Sequence, residues 1–475
     1  MLIPFLFLFL VIPILGCFIY LLKKSPKNNN TIKRVNKRDL GLITSIFLFL
    51  QIFSISIYNL QYKSLLNNVN DSYHFISSDY YLYNSQIFKT DFLEKFGSYA
   101  YYFKNAKNIF SKNNLFGAQD YIDFKNFLAD GKNIDNSSEK TGILQDKNVI
   151  VIMAESFEWF AIDPYFTPTL YEFVNDGYVF NEFYSKNKTN ISEANGILGN
   201  SPTSITFPSE YLNPNSNKSA SLPFSLPNML RENGYENNNY FHNYYATFFD
   251  RINTHQVFGF DDIIDLSKMD INPLPTRFHD FVRDSDMVLS TIDQIAPIDE
   301  SCFSFVTTVT GHGPYQYNFR LDKFYEKLDD EDDFAELIRY IEEETSYFYP
   351  VEEDMRERFY YYKAAAMDLD LALRILLDHL EENDLKDNTS IFFYSDHYAY
   401  YNGLTYSMKN IENNDNSNPE LYRIPFVIYD SDLGSGSSDV FCSSLNIATT
   451  IFDLIGVEYN QNLYGGHPVF SENIK

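Results

Sequence analysis

The chain has no Cys-x-x-Cys pair, and its three cysteines, Cys17, Cys302 and Cys442, stand far apart in 475 residues. That spacing argues against a thiolate zinc site. Cys17 lies in an apolar run, so at most one disulfide remains open to the other two. Two buried free thiols are the simpler expectation, since free cysteine packs as a small apolar side chain. Positive charge is also scarce. Lys and Arg total 37 against 64 Asp and Glu, a formal net charge of −27. A nucleic-acid binder needs a basic face to displace counterions from phosphates, which argues against that class. No internal repeat is evident. At 475 residues the chain is too long for one ordinary core, so more than one region is expected.

What basic charge there is gathers near the N-terminus. Lys23, Lys24, Lys27, Lys33, Arg34, Lys37 and Arg38 come before the first acid, Asp39. They separate two apolar runs, Leu2 to Leu22 and Leu40 to Leu60, broken only by uncharged residues such as Gln51 and Asn59. A helix crosses the hydrocarbon core with roughly 20 apolar residues, so both runs qualify as transmembrane helices. A cleaved signal peptide would carry its positive charge ahead of the apolar stretch, and here it comes after. Basic loops stay in the cytoplasm, which puts loop 23–38 inside and everything after residue 60 outside.

Residues 1–60 therefore read as a two-helix membrane anchor. Residues 61–146 read as an extracellular linker with helical patches such as Phe92 to Phe110. Residues 147–475 read as a folded ectodomain. In that last region Asn148 to Met153, Asn239 to Phe241, Ser304 to Val309, Ser390 to Tyr394 and Pro425 to Tyr429 are short apolar runs, the pattern of buried parallel strands. Helical patterns fall between them, at Pro168 to Asn175, Leu222 to Asn233 and Tyr360 to Leu380. The last keeps Ala366, Leu369, Leu373, Leu376, Leu377 and Leu380 at helical spacing. Alternation of this kind predicts an α/β fold with a mostly parallel sheet flanked by helices. The acid-rich stretch Asp322 to Glu357 reads as a solvated insertion.

In such sheets the chemistry sits at the carboxyl ends of the strands. Three of the predicted strands end in suggestive groups. Glu155 follows the first, Asp396 and His397 follow the run Ser390 to Tyr394, and His312 follows the run Ser304 to Val309 within Thr310-Gly-His-Gly-Pro-Tyr315. Two carboxylates and an imidazole make a hard-to-borderline cation site. The imidazole moves the expected ion from Mg²⁺ toward Mn²⁺ or Zn²⁺.

The segments Asn148-Val-Ile-Val-Ile-Met-Ala-Glu-Ser156, Thr167-Pro-Thr-Leu170, Phe393-Tyr-Ser-Asp-His-Tyr398, Arg423-Ile-Pro-Phe426, Asn446-Ile-Ala-Thr-Thr450 and Leu454-Ile-Gly456 occur in this order. Together they resemble the catalytic domain of the lipoteichoic acid synthase family, within the alkaline phosphatase and sulfatase superfamily. The resemblance covers roughly residues 140–470. It implies one divalent cation, Mn²⁺ first, held by Glu155, Asp396, His397 and a threonine that is also the nucleophile. The family pattern of Thr followed four residues on by Glu fits Lys188-Thr-Asn-Ile-Ser-Glu193, which gives Thr189. Ser192 is the rival hydroxyl, and Ser185-Lys-Asn187 stands where the family has glycines. Asn187-Lys-Thr189 and Asn190-Ile-Ser192 also read as glycosylation-type sequons. His242-Asn-Tyr-Tyr-Ala-Thr-Phe-Phe-Asp-Arg251, followed by Gly259-Phe-Asp261, is similar to the family's substrate-binding stretch. It implies His242, Phe249 and Arg251 as contacts to the substrate, with Phe249 and Asp250 in place of the commoner Trp and Asn, and Tyr244 in place of an acid. His312 would protonate the leaving oxygen or hydrogen-bond the phosphoryl oxygens.

The resemblance implies transfer of a phosphoglycerol-type head group from a phosphatidylglycerol-like phospholipid to a glycolipid or glycerophosphate polymer, through a phospho-threonine intermediate. The family normally has more membrane helices than the two read here. A phosphoethanolamine transferase or a phosphodiesterase would share the chemistry, and a non-catalytic surface protein would have no need of it. Sulfatases make a formylglycine from Cys or Ser in a Cys/Ser-x-Pro-x-Arg context, and no such context occurs. The topology has a direct check. A reporter active only outside the cell, fused after Lys475, is expected to be active, and a silent but well-expressed fusion would overturn the orientation and the lipid donor with it.

Overall fold

The structure is a computed structural model. It describes residues 118–131, 134–200, 222–271 and 281–472, with isolated positions at 45, 83, 92, 93, 95–97, 100 and 101. The two apolar runs at 2–22 and 40–60 and loop 23–38 lie outside these. Among the described residues no helix is long and apolar enough to cross a membrane. Residues 118–475 form one compact unit, and those before it form another. In the N-terminal of the two, Tyr83 packs on Phe92 and Phe96 at 5.6 and 5.2 Å between ring centroids.

The second unit is built on one eight-stranded sheet. Its strands are β1 (Asn148–Ala154), β2 (Tyr178–Phe180), β3 (Asn237–His242), β4 (Asp262–Ile264), β5 (Cys302–Thr307), β6 (Thr389–Ser395), β7 (Phe426–Tyr429) and β8 (Gly436–Ser438), in the order β4-β3-β5-β1-β6-β7-β2-β8. Every neighbouring pair is parallel except β6–β7 and β2–β7, so β7 alone runs against the rest. The fold is α/β with a mostly parallel sheet. All five apolar runs read from the sequence are strands. The three strands without such a run are β2, β4 and β8, each three residues long and bearing exposed or half-exposed side chains.

β1 sits in the middle and is buried along its whole length. Ile150, Ile152 and Ala154 point to one face, with the long helix Glu353–Glu382 and the helices Pro168–Asp176 and Asp284–Ile295. Val149, Val151 and Met153 point to the other, with Thr189–Leu198, Leu226–Glu232 and Ile447–Ile455. Helix Leu226–Glu232 begins later than the sequence pattern from Leu222 suggests. Pro227 in its first turn suits a helix start, whereas in a helix begun at Leu222 the same proline would fall in the interior, where its missing N–H and its ring break the turn. The acid-rich stretch 322–357 is not simply solvated. Its helices Asp322–Leu328 and Glu331–Glu344 bury Phe324, Tyr325, Leu328, Leu337 and Ile341 while their acids face outward. Cys302 and Cys442 are free and buried.

The long helix also grips the segment after β1. Lys363 Nζ pairs with Asp163 and donates to the Ala161 carbonyl at 2.7 Å, with both charged groups buried. Asp163 Oδ1 accepts from the N–H groups of Tyr165 and Phe166 at 2.9 and 2.8 Å. Asp163→Ala leaves an ammonium buried without its partner. It is expected to cost about 3–5 kcal/mol of unfolding free energy, read by denaturant titration, whereas the double change Asp163→Leu with Lys363→Met recovers much of that loss. Equal losses in single and double variants would remove the ion pair as the cause.

Candidate active site

β1 and β6 are neighbours in register, with Ala154 opposite Ser395. The next residues, Glu155 and Asp396, are therefore delivered side by side, with His397 one step on. One ligand atom from each of these three buried residues lies within 4.8 Å of the other two. His397 Nε2 is 3.1 Å from Asp396 Oδ2 and 3.7 Å from Glu155 Oε1. Thr189 opens the helix Thr189–Leu198 and completes the group. Its hydroxyl donates to Glu155 Oε2 at 3.1 Å and faces His397 Nε2 at 3.2 Å.

The donor set suits a divalent cation on several counts. His397 Nδ1 lies 3.0 Å from the Tyr398 carbonyl, which can only accept, so Nδ1 carries the proton and Nε2 offers its lone pair to the cluster. Burial, with the Lys188 charge behind it, holds His397 down to about 3, so the ring is neutral. Burial pushes Asp396 up to about 6, and burial together with the Asp396 charge pushes Glu155 well above the carboxylate range. Asp396 Oδ1 accepts from the N–H groups of Ser156 and His397, both at 2.8 Å, while Oδ2 accepts no hydrogen bond. Two crowded carboxylates, an orphan oxygen, a neutral imidazole and a hydroxyl are what a bound cation would satisfy.

Ser192, the rival hydroxyl, is turned away from the carboxylates. It donates to the Asp396 carbonyl at 2.6 Å and meets Ser185 Oγ at 3.0 Å. His312 sits in the turn after β5. Its Nδ1 donates to the Gly313 carbonyl, and its ring lies between Phe281 and Tyr401, at 5.1 and 5.2 Å. The turn packs on the metal-side backbone. A Cβ on Gly311 would lie 2.4 Å from the Glu155 carbonyl oxygen, so only glycine fits there, and Thr308 Oγ1 accepts from Glu155 N–H at 2.9 Å.

His242, Arg251 and Phe249 form an adjoining group. His242 ends β3 opposite Thr307, is buried, and makes no well-formed hydrogen bond through either ring nitrogen. Burial and the Arg251 charge hold it neutral. Arg251 is buried, with Nε on Glu193 at 2.9 and 3.2 Å and Nη1 3.4 Å from the Phe248 carbonyl. Phe249, at a left-handed φ of 58°, places its ring 5.2 Å from the guanidinium. Two neighbours had no role assigned from sequence alone. Glu193 accepts from Arg251, Tyr240 and Thr307. Lys188, beside Thr189, seats its ammonium over the Tyr400 ring. The Thr-x-x-x-Glu spacing was the available signal for Glu193, and nothing in the sequence singled out Lys188.

A family model described as Sulfatase matches residues 147–457, more than half of the chain. Lipoteichoic acid synthase 1 of Bacillus subtilis (strain 168) is 24% identical over 349 residues, covering 71% of this chain and 50% of that protein. A lipoteichoic acid synthase of Staphylococcus aureus (strain USA300) is 23% identical over 347 residues, covering 70% and 49%. The chain thus spans about half the length of these curated relatives. The crystal structure of the lipoteichoic acid synthase LtaP from Listeria monocytogenes superposes with a TM-score of 0.53 at 18% identity, over 73% of this chain and 80% of that one, which establishes a shared fold. A cation held by this cluster would carry a pH signature. Protons compete for carboxylates whose free-site values are raised, so Mn²⁺ affinity is expected to fall steeply as pH drops through about 6, with protons released on binding. Calorimetric titrations at pH 7.5, 6 and 5 read this directly, and a flat profile would exclude Glu155 and Asp396 as the ligands.

Proposed function

The chain belongs to the sulfatase family, and from that footing we propose that it is a phosphotransferase that moves a phosphoglycerol-type head group from a phosphatidylglycerol-like phospholipid to a glycolipid or glycerophosphate polymer. The observation that carries this reading is the Thr189 hydroxyl, 3.1 Å from Glu155 Oε2 and 3.2 Å from His397 Nε2 at the head of a helix. A threonine hydroxyl is hardly ionised at neutral pH and needs both a proton acceptor and local positive charge to become a nucleophile. Glu155, Asp396, His397 and Thr189 would hold one divalent cation, Mn²⁺ first, and that ion supplies the charge that stabilises the deprotonated oxygen. The names of the relatives support the phosphoglycerol chemistry, and the membrane anchor read from the sequence at 1–60 favours a site at the outer membrane face.

The hydroxyl proton leaves along the hydrogen bond to Glu155. Thr189 Oγ1 then attacks phosphorus, the bond to the diacylglycerol oxygen breaks, and His312 gives that oxygen a proton. The head-group phosphate stays on Thr189 as a phosphodiester. In the second half, His312 takes the proton of the acceptor hydroxyl, whose oxygen attacks phosphorus and frees Thr189. The tautomer with Nδ1–H on the Gly313 carbonyl makes Nε2 the proton-exchanging nitrogen. His242, Arg251 and Phe249 line the substrate side. His242 is neutral, so it offers hydrogen bonds rather than charge, and the Arg251 charge is largely met by Glu193.

Removal of the nucleophile is the decisive test. Thr189→Ala is expected to abolish transfer from labelled phosphatidylglycerol by several orders of magnitude, toward the roughly 10⁶-fold loss typical of nucleophile removal, with Mn²⁺ still bound. Ser192→Ala is expected to cost far less. Wild type quenched with donor lipid should carry a glycerophosphate-sized adduct on the peptide containing Thr189. Near-normal activity of Thr189→Ala, with no adduct anywhere, would replace the covalent route by direct attack of acceptor or water.

A further inference from the structure

Lys188 precedes Thr189 and caps the helix that carries it. Its carbonyl accepts from the N–H groups of Ile191 and Ser192 at 2.9 and 3.0 Å, which fixes the backbone from which its side chain departs. The side chain is half-buried, and Nζ lies 3.1 Å from the centroid of the Tyr400 ring. That ring is itself buried, 4.7 Å from the His397 ring, and stacked on Tyr401 at 4.6 Å and 26°. A fixed aromatic face of this kind holds an ammonium in place without neutralising it. Burial lowers Lys188 to about 8, the Asp396 and Glu155 charges act to keep it protonated, and its charge in turn bears on His397. Among the described residues, however, it has no carboxylate within 4.0 Å of Nζ.

The charge count around the cluster shows why this matters. A divalent cation is balanced by Glu155 and Asp396. Arg251 is balanced by Glu193, and His242 and His397 are neutral. A phosphodiester brings one negative charge, and attack by Thr189 gathers further charge on its phosphoryl oxygens, while the proton passed to Glu155 leaves the total charge of the cluster unchanged. Lys188 is a positive charge next to the threonine that no protein group has cancelled. We infer that Lys188, seated on Tyr400, is a further catalytic residue that binds the phosphoryl oxygens of the phosphodiester and stabilises the charge that builds up on them during attack by Thr189. This rests on the proposed reading of Thr189 as the nucleophile at a divalent-cation site. Seating on Tyr400 has a second effect. A lysine that paired with Asp396 or Glu155 would compete with the cation for those carboxylates, whereas one held on a ring face stays available for an anion.

The test uses the full chain in detergent, loaded with Mn²⁺, and glycerol 3-phosphate as the probe. Lys188→Gln removes the charge, and Lys188→Met removes it while keeping an unbranched chain over Tyr400. One of these is therefore available if the other folds poorly. Loss of a charge-assisted contact is expected to weaken glycerol 3-phosphate binding by about 10- to 100-fold, with Mn²⁺ affinity equal to wild type or higher, since a like charge has been taken away. Lys188→Arg is expected to restore most of the probe binding. If the neutral variants bind the probe within about 2-fold of wild type, the contact is absent, because a lost charged hydrogen bond costs more than that. If Mn²⁺ affinity falls in step with probe affinity, Lys188 only supports the metal cluster, and the inference is again wrong. A wild-type protein that binds Mn²⁺ but no glycerol 3-phosphate would overturn the underlying phosphotransferase reading. That outcome is told apart from failure of the lysine by the wild-type titration alone.

Discussion

Two carboxylates, Glu155 and Asp396, are buried next to each other because the strands that carry them are parallel neighbours in register. Burying even one unpaired charge costs several kcal/mol in effect, and two like charges cost more. The surroundings offset part of this. Ser156 turns into a left-handed φ of 52°, and its N–H reaches Asp396 Oδ1 while its hydroxyl donates to Glu155 Oε1. His397 N–H serves the same Asp396 oxygen. A non-glycine residue held at positive φ is strained, and the strain persists only where the neighbours impose it. What the protein leaves unmet, chiefly Asp396 Oδ2, defines where a cation would be held.

A second layer fixes the turns that present these groups. Tyr362 on the long helix accepts from Glu158 N–H and donates to the Ser156 carbonyl, both at 3.0 Å, so the turn after β1 is held from below. Glu158 ties that turn to the segment after β6 through Ala399 N–H, Thr405 and Lys409. Asp284 accepts from Val309 and Thr310 N–H and from Asn243 Nδ2, which joins the His312 turn to the residue beside His242. Burial and the nearby Asp368 charge push Asp284 up to about 7. Thr310 and Ser285 donate to Asp368, and so the long helix reaches the same turn. One helix thereby braces turns at the ends of β1 and β5, a rigid arrangement suited to groups that must meet within tenths of an ångström.

Much of this was legible in the sequence because it depends on local pattern. A buried central strand is an unbroken apolar run, and polar residues right after such runs mark strand ends; Glu155, Asp396 and His312 were found that way. Short edge strands carry no such signature. Val179 in β2 and Ser437 in β8 take strand geometry from pairing with each other, a tertiary effect that local sequence does not encode. The acid-rich helices escaped for a different reason. Phe334, Leu337, Ile338 and Ile341 keep the spacing of a buried helical face, but the many acids around them dominated the composition of the stretch. Lys188 and Glu193 have meaning only through Tyr400 and Arg251, each far away in the chain.

The spacing between Thr189 and Glu193 has a physical basis of its own. Four residues are about one helical turn, close to 5.4 Å along the axis, and put both side chains on one face. Thr189, at the first position, meets Glu155 and His397. Glu193, one turn deeper, meets Thr307 on β5, Tyr240 on β3 and Arg251 beyond it. A single short helix therefore sets the distance between the Thr189 hydroxyl and the Arg251 guanidinium. It does so through a buried ion pair whose rupture would leave one charge stranded. Because Glu193 meets much of the Arg251 charge, Arg251 contributes shape and hydrogen-bond direction more than net charge. On the proposed reading, that division leaves the positive charge toward a phosphate to Lys188. The same helix start carries the Thr189 hydroxyl and the Lys188 side chain, and the Tyr400 ring, far along the chain, sets where the ammonium lies.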